Sequence, residues 1–168
     1  MNSSTPHSES NTTQLHIYTD GGYQSKHHIG GWGYVFILED SPIYTQHGSC
    51  QHSSSLEMEL MAAVQALSKV KTQIADTLKF KEFESVILHT DSKILIEGLE
   101  GKIERYRQQS WLHLSGRPVE SKTLWEKFDQ LTDQLNVTVK WVKGHNGNLG
   151  NQMADELARQ AIQTHLTQ

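Results

Sequence analysis

The sequence predicts a mixed α/β domain, with helices flanking a five-stranded mixed sheet. Two observations carry this. Three segments rich in aromatic and β-branched residues follow one another with turn residues between them, which suits an antiparallel meander. After them, helix-spaced apolar positions alternate with short apolar runs, which suits strands joined by crossover helices.

In order along the chain, "MNSSTPHSESNTTQ" is a Ser/Thr/Asn-rich stretch expected to be a solvated, disordered tail over residues 1–14, with the domain spanning 15–168. It lacks the basic start and apolar centre of a signal peptide. Leu15 to Thr19 alternates and then meets Asp20-Gly21-Gly22, so Asp20 is expected to end its strand. "GGWGYVFILED" and "PIYTQHGSCQ" are the second and third strands. Ser53-Ser54-Ser55 offers N-caps to a helix whose apolar positions are Leu56, Leu60, Ala63, Leu67 and Val70. Residues 73–84 read equally as a helix extension or a loop. Val86 to Leu88 is a short buried strand that runs into Asp91. "SKILIEGLEG" and "KIERYRQQSW" read as short helices around Gly98 and Gly101, and "LSGRP" breaks the chain. "SKTLWEKFDQLTDQL" is an amphipathic helix, "NVTVKWV" the fifth strand, "KGHNGNLGN" a loop and "QMADELARQAIQTHL" the last helix.

The totals narrow the class. Hydrophobic residues make up 36% and charged residues 20%, a globular balance. No apolar run reaches the roughly 20 residues that span a bilayer, so no membrane partner is expected. Cys50 stands alone and makes no internal disulfide, which fits a reducing cytoplasm. The formal net charge of −4 speaks against nucleic-acid binding by bulk charge. A nucleic-acid partner would need a local basic patch or bound metal. Without an exposed apolar stripe, a monomer is expected.

Four acids stand where chemistry can gather. Sites in open α/β sheets collect at the carboxyl ends of strands. Asp20 and Asp91 stand there, and they meet if the first and fourth strands are parallel neighbours. Two close carboxylates repel, so a shared proton, an Arg or a cation must compensate. Taken singly, each reads first as a common turn residue or helix N-cap. Glu59 projects beside Ala62, Ala63 and Ala66, small residues that let a helix approach a sheet, whereas Glu57 points away toward solvent. Asp155 lies near the start of the last helix, where the helix dipole also favours an acid. His145 sits on a Gly-rich loop, a suitable place for a His that visits a reacting centre. The other histidines are mostly loop or solvent-facing residues. His27-His28 has no second pair at ligand spacing, so no zinc site is expected.

Together "YTDGG" with "GGWGYVF", "MELMAAVQAL", "LHTDSKILIEG", "PVESKTLWEKFDQL" and "WVKGHNGNLGNQMADELAR" resemble ribonuclease HI. They occur in the family's order and cover most of the chain from Leu15 to Ala161. The resemblance implies a ribonuclease H-like fold. It also implies an enzyme that hydrolyses the RNA strand of RNA/DNA hybrids, leaving 5′-phosphate and 3′-hydroxyl ends. Asp20, Glu59, Asp91 and Asp155 would be catalytic metal ligands, with His145 a mobile auxiliary. The implied cofactor is two Mg²⁺ ions about 4 Å apart, with Mn²⁺ a substitute. Asp20 would bridge the ions, Asp155 would complete the water-activating side, and Glu59 with Asp91 the leaving-group side. Oxygen ligands suit such hard cations.

Substrate contacts implied are Gly21, Lys26, Ser54, Trp111, Ser121 and Asn151, with Lys93, Arg105, Arg107, Arg117, Lys122 and Lys143 as local positive charge. The chain departs from the family around them. Lys26 stands where Asn is common. Ser54, Ser55 and Leu56 replace a Thr and two Asn. An insertion of about ten residues is expected around Thr72 to Glu82. The protrusion "KIERYRQQSWLHLSGRPVES" keeps Trp111 and Tyr106. Gln108, Gln109, Leu112 and Glu120 stand where basics are frequent, which implies a shallow salt dependence of binding. These changes leave open two other readings: a related nuclease for another duplex, and a non-catalytic hybrid-binding module.

Overall fold

The computed structural model describes residues 13–76, 83–144 and 146–168. Five strands form one sheet in the order β3-β2-β1-β4-β5. β1 (Thr13–Gln24), β2 (Ile29–Leu38) and β3 (Ser41–Gln51) are the antiparallel meander. β4 (Phe83–Thr90) lies parallel to β1, and β5 (Val137–Trp141) parallel to β4. Parallel neighbours need crossovers. α1 (Ser55–Asp76) leads from the meander toward β4. Between β4 and β5 run α2 (Lys93–Glu97), a π-turn at Gly98–Lys102, α3 (Ile103–Gln108) and α4 (Lys122–Gln134). α5 (Leu149–Thr167) closes the chain.

The two faces of β1 follow the strand period of two. Leu15 and Ile17 bury completely with Val86 and Leu88 of β4 under α1 and α4. From α4, Trp125, Phe128 and Leu131 fill the same core, each at most 1% exposed. Its apolar residues fall on one helical face, as the sequence pattern requires. On the other face α5 lies against β1 and β2 through small residues. A Cβ on Gly33 would come within 2.6 Å of Leu157 Cβ and 2.9 Å of the Ala154 carbonyl oxygen. Gly31 meets the Ala158 carbonyl still more closely. Here glycine sets the sheet–helix distance.

Several boundaries move relative to the sequence expectation. β1 starts at Thr13, inside the expected tail, because Thr13 and Gln14 pair with β4. It also runs past Asp20 to Gln24, since pairing with β2 continues through Asp20↔Gly33 to Gln24↔Ile29. Asp20 therefore does not end its strand. What ends there is the parallel pairing with β4, at Thr19↔Thr90. α1 absorbs Thr72–Asp76 of the expected insertion. The rest of that insertion, residues 77–82, and the tail up to residue 12 lie outside the described residues. α5 begins three residues before Gln152, where the Asn148 side chain accepts the Asn151 N–H at 3.0 Å and caps it.

One histidine pair contradicts the loop-or-solvent expectation. His89 of β4 is buried and its Nε2 lies 2.9 Å from Nδ1 of His16 on β1. Tyr18 stacks on His89 at 4.2 Å. Burial, then His16 and Lys140, push the His89 pKa down to about 4.

Two predictions follow from this packing. Gly33→Ala should destabilise the fold by about 1–3 kcal/mol by overpacking α5, a drop of roughly 3–10 °C in Tm. Gly22→Ala, whose Cβ would meet only Ile162 Cδ1 at 3.9 Å, should melt near the parent; equal losses would refute the packing account. The depressed His89 pKa means folding favours its neutral form. That contribution is complete above the ordinary pKa of 6.5 and fades as pH falls toward about 4. Denaturant melts should show the parent losing about 1–2 kcal/mol more than His89→Gln across that window, discounted for partial solvent access.

Candidate metal centre

Asp20 reaches the site from the middle of β1, and is 8% exposed. Asp91 lies in a bend just past the end of β4, as the sequence suggested. Glu59 comes from the second turn of α1, delivered by an unusually close contact. A Cβ on Gly21 would overlap the backbone carbonyl carbon of Met58 and the amide nitrogen of Glu59. Only glycine lets that turn of α1 lie on β1 beside Asp20. Ser54 starts the helix by accepting the Glu57 N–H on its Oγ at 3.1 Å.

The result is one oxygen from each of Asp20, Glu59 and Asp91 within 4.8 Å of the others. The Asp20 pKa is raised to about 8, and burial is the largest influence on it. The negative charge of Asp91 adds to this, as does Asp155, which hydrogen-bonds to the protonated carboxyl. Glu59 is pushed well above the carboxylate range by burial, then by Asp20 and Asp91. The Gly21 N–H opposes both shifts by donating to the charged forms. Glu59 Oε2 is fully buried and has no hydrogen-bond partner. An orphaned carboxylate oxygen among like charges is costly. A hard divalent cation would satisfy it, and an all-oxygen donor set fits such an ion.

Asp155 stands beside this group on α5, at the Asp20 side. It has a basic partner: Arg159 Nη2 pairs with its Oδ2 at 3.0 Å, one helical turn on. The i,i+4 spacing was the available signal. His145 lies outside the described residues. Its neighbour Gly144 packs against Asp91, where an added Cβ would approach Oδ2 to 2.8 Å.

The expected substrate residues are scattered around this centre. Gly21 is at its heart, through both its amide and its missing Cβ. Lys26 is exposed in the β1–β2 turn. Asn151 is 3% exposed, with its Oδ1 unpartnered. Ser54 and Ser121 line a cavity of about 470 Å³ between the N-termini of α1 and α4, with Glu57, Glu120 and Lys122. Ser54 donates to Glu120 Oε1 at 3.2 Å. Glu57 is half-buried there rather than fully solvated. Trp111 adopts a left-handed backbone, φ 60°, and packs on Tyr106 at 5.7 Å beside the core. Arg107 is committed to Asp129 through two 3.0 Å bonds and to Glu104 at 2.6 Å. Lys26, Lys93, Arg105, Arg117 and Lys143 are exposed and form no ion pair among the described residues.

Known proteins resemble this chain in sequence and in fold. The RNase H family model matches residues 12–163. Ribonuclease H of Francisella tularensis subsp. novicida (strain U112) is 37% identical over 147 residues, covering 86% of this chain and 88% of its own. The fold of LC9-RNase H1, a type 1 RNase H, superposes with a TM-score of 0.75 at 23% identity, covering 91% of this chain and 74% of that one. LC11-RNase H1, crystallised with an RNA/DNA hybrid, gives 0.65 at 20% identity, over 90% and 99% of the two chains. With a family match over residues 12–163 and a relative 37% identical over 86% of its length, the chain belongs to the ribonuclease H family and is a ribonuclease H enzyme.

Proposed function

We propose that the chain is an endoribonuclease that cuts the RNA strand of RNA/DNA hybrids, with Mg²⁺ held by Asp20, Glu59, Asp91 and Asp155. The observation that carries this is the buried, unpartnered Glu59 Oε2 facing two further carboxylates. When bound, two Mg²⁺ ions, or Mn²⁺ in their place, supply the charge that activates water and stabilises the leaving oxygen. The residues of the chain do the rest. Asp20, Glu59 and Asp91 must all be ionised, and the Gly21 amide favours that state for Asp20 and Glu59. Arg159 holds Asp155 beside Asp20. His145 would take or give a proton in the reaction. Water adds to phosphorus and the P–O3′ bond breaks, leaving 5′-phosphate and 3′-hydroxyl ends.

The substrate reading rests on the family and on chemistry. Only RNA offers a 2′-hydroxyl, and contacts across the minor groove can test for it without reading bases. The hybrid in the LC11-RNase H1 complex supports this choice. Two divalent ions would bring the formal charge of −4 to neutrality, and Lys93, Lys143, Arg105 and Arg117 would contact phosphate. We further propose a monomer that works in the cytoplasm. Among the described residues no helix is long and apolar enough to cross a membrane.

The deciding assay is cleavage of a labelled hybrid in Mg²⁺ or Mn²⁺ beside matched DNA and RNA duplexes. The parent should cut only hybrid RNA, and Asp20→Asn should lose at least roughly 10³-fold in rate, the scale of a lost electrostatic catalyst. Cutting of another duplex would favour the related-nuclease reading, and binding without cutting the non-catalytic one.

Proton linkage gives an independent test. Without metal the raised pKa of Asp20 makes its ionisation oppose folding. Stability is complete below the ordinary pKa of 3.8 and declines as pH rises through about 8. At pH 8 in chelator, Asp20→Asn should therefore melt several degrees above the parent, and Mg²⁺ should stabilise the parent more than the variant. Metal binding should also release protons below pH 8. Matching melts at all pH values would sink the account of a like-charge site.

A further inference from the structure

Asp91 is the one member of the three-acid group that belongs to neither a strand nor a helix. Its carboxylate must nonetheless meet oxygens delivered by β1 and α1. The main chain around it is tied down at three points. Val142 N donates to the Thr90 carbonyl at 2.9 Å, extending the β4–β5 pairing one residue past β5. Thr90 Oγ1, on a fully buried side chain, accepts the Ser92 N–H at 3.0 Å. The third tie comes from a side chain: Trp141 Nε1 donates to the carbonyl oxygen of Asp91 itself at 3.3 Å.

Trp141 is otherwise an odd residue for its place. It is the last residue of β5, at the sheet edge, and is 47% exposed. Its ring contributes little to the core, and Lys93 Nζ lies 5.8 Å from the ring centroid. Such a large apolar side chain left half in water has weak grounds in burial alone. The indole N–H, a donor with no acceptor function, is the part that reaches the site.

We propose that Trp141 is a positioning residue for the metal centre: its indole N–H holds the Asp91 main chain, so that the Asp91 carboxylate stays in reach of Asp20 and Glu59. It touches neither substrate nor ion. With Gly144 packed against the same carboxylate, the end of β5 and the loop after it clamp Asp91 from two sides. Groups that orient ligands in this way tune metal affinity. The inference rests on the metal reading of the acids proposed above.

The test is Mn²⁺ binding to the substrate-free protein by calorimetry, on the parent, Asp20→Asn, Trp141→Phe and Trp141→His. Phe keeps an aromatic ring and removes the N–H; His keeps a ring N–H on a smaller ring. The parent should bind Mn²⁺, and Asp20→Asn should lose most of that binding. Trp141→Phe should weaken it by roughly tenfold, the low end for a ligand-orienting group, and Trp141→His should recover at least half of that loss. In cleavage assays Trp141→Phe should raise the Mg²⁺ needed for half-maximal rate and leave the KM for hybrid at saturating Mg²⁺ unchanged. Phe binding Mn²⁺ as the parent does, His binding no better than Phe, or a raised hybrid KM at saturating Mg²⁺ would each overturn the positioning role. A parent that binds no Mn²⁺, or binds it equally after Asp20→Asn, would instead overturn the metal reading itself. Should Trp141→Phe melt far below the parent, the contrast between Trp141→His and the parent decides.

Discussion

The close seating of α1 on Gly21 is the contact on which the centre depends. Helix and strand backbones are normally held apart by the side chains between them. Here the missing Cβ brings the Met58–Glu59 peptide onto β1. Three consequences share this one cause. Glu59 arrives beside Asp20, the Gly21 amide is free to donate toward both carboxylates, and the carboxylates are buried together. A methyl group at this position would act on all three at once. α5 repeats the device on the opposite face, where Gly31 and Gly33 admit Ala158 and Ala154 and carry Asp155 up to Asp20. Two helices, one resting on Gly21 of β1 and the other on Gly31 and Gly33 of β2, therefore converge on Asp20.

That convergence stores electrostatic repulsion. Asp20 and Glu59 both resist ionisation, mainly because they are buried; Asp91 and Asp155 then act on Asp20, and Asp20 and Asp91 on Glu59. The rest of the fold must supply enough packing to hold them together. The buried apolar cluster under α1 and α4 does so on one face, and the His16–His89 pair with Tyr18 fills part of the other. The two groups respond oppositely to acid. Protonation relieves the carboxylates and burdens the histidine, so the metal-free protein is caught between them as pH changes.

Much of this was legible in the sequence, and the failures are physically specific. The acids were readable because each stands by an apolar pattern set by its element: alternation before Asp20, a short apolar run before Asp91, helical spacing around Glu59 and Asp155. The end of β1 was not. Asp-Gly-Gly reads as a turn by local propensity, but pairing to β2 runs straight through it, and pairing is a tertiary fact. His89 was misread for a similar reason. A lone polar residue near the end of an apolar strand looks exposed until a neighbouring strand supplies His16. Trp141 was counted only as part of an alternating strand, since the acceptor that uses its N–H is fifty residues away.

The cavity at the N-termini of α1 and α4 shows how far family resemblance carries for substrate contacts. Two helix N-termini with serines at their caps would ordinarily attract an anion. In this chain Glu57 and Glu120 line the same space, and the Ser54 hydroxyl is already donated to Glu120. A phosphate entering there meets two carboxylates and displaces a hydrogen bond, with Lys122 as the cation lining the space. Arg107, on the protrusion, is likewise engaged with Asp129. Among the described residues, exposed cations without an ion pair include Lys93 and Lys143, which flank the Asp91 side of the acidic cluster in sequence, together with Lys26, Arg105 and Arg117. Attraction for a nucleic-acid backbone is thus weighted toward the acids and their cations, and away from the cavity beside them. Binding of substrate and loading of metal should be more tightly coupled in such a protein than in one whose outlying surface is strongly basic.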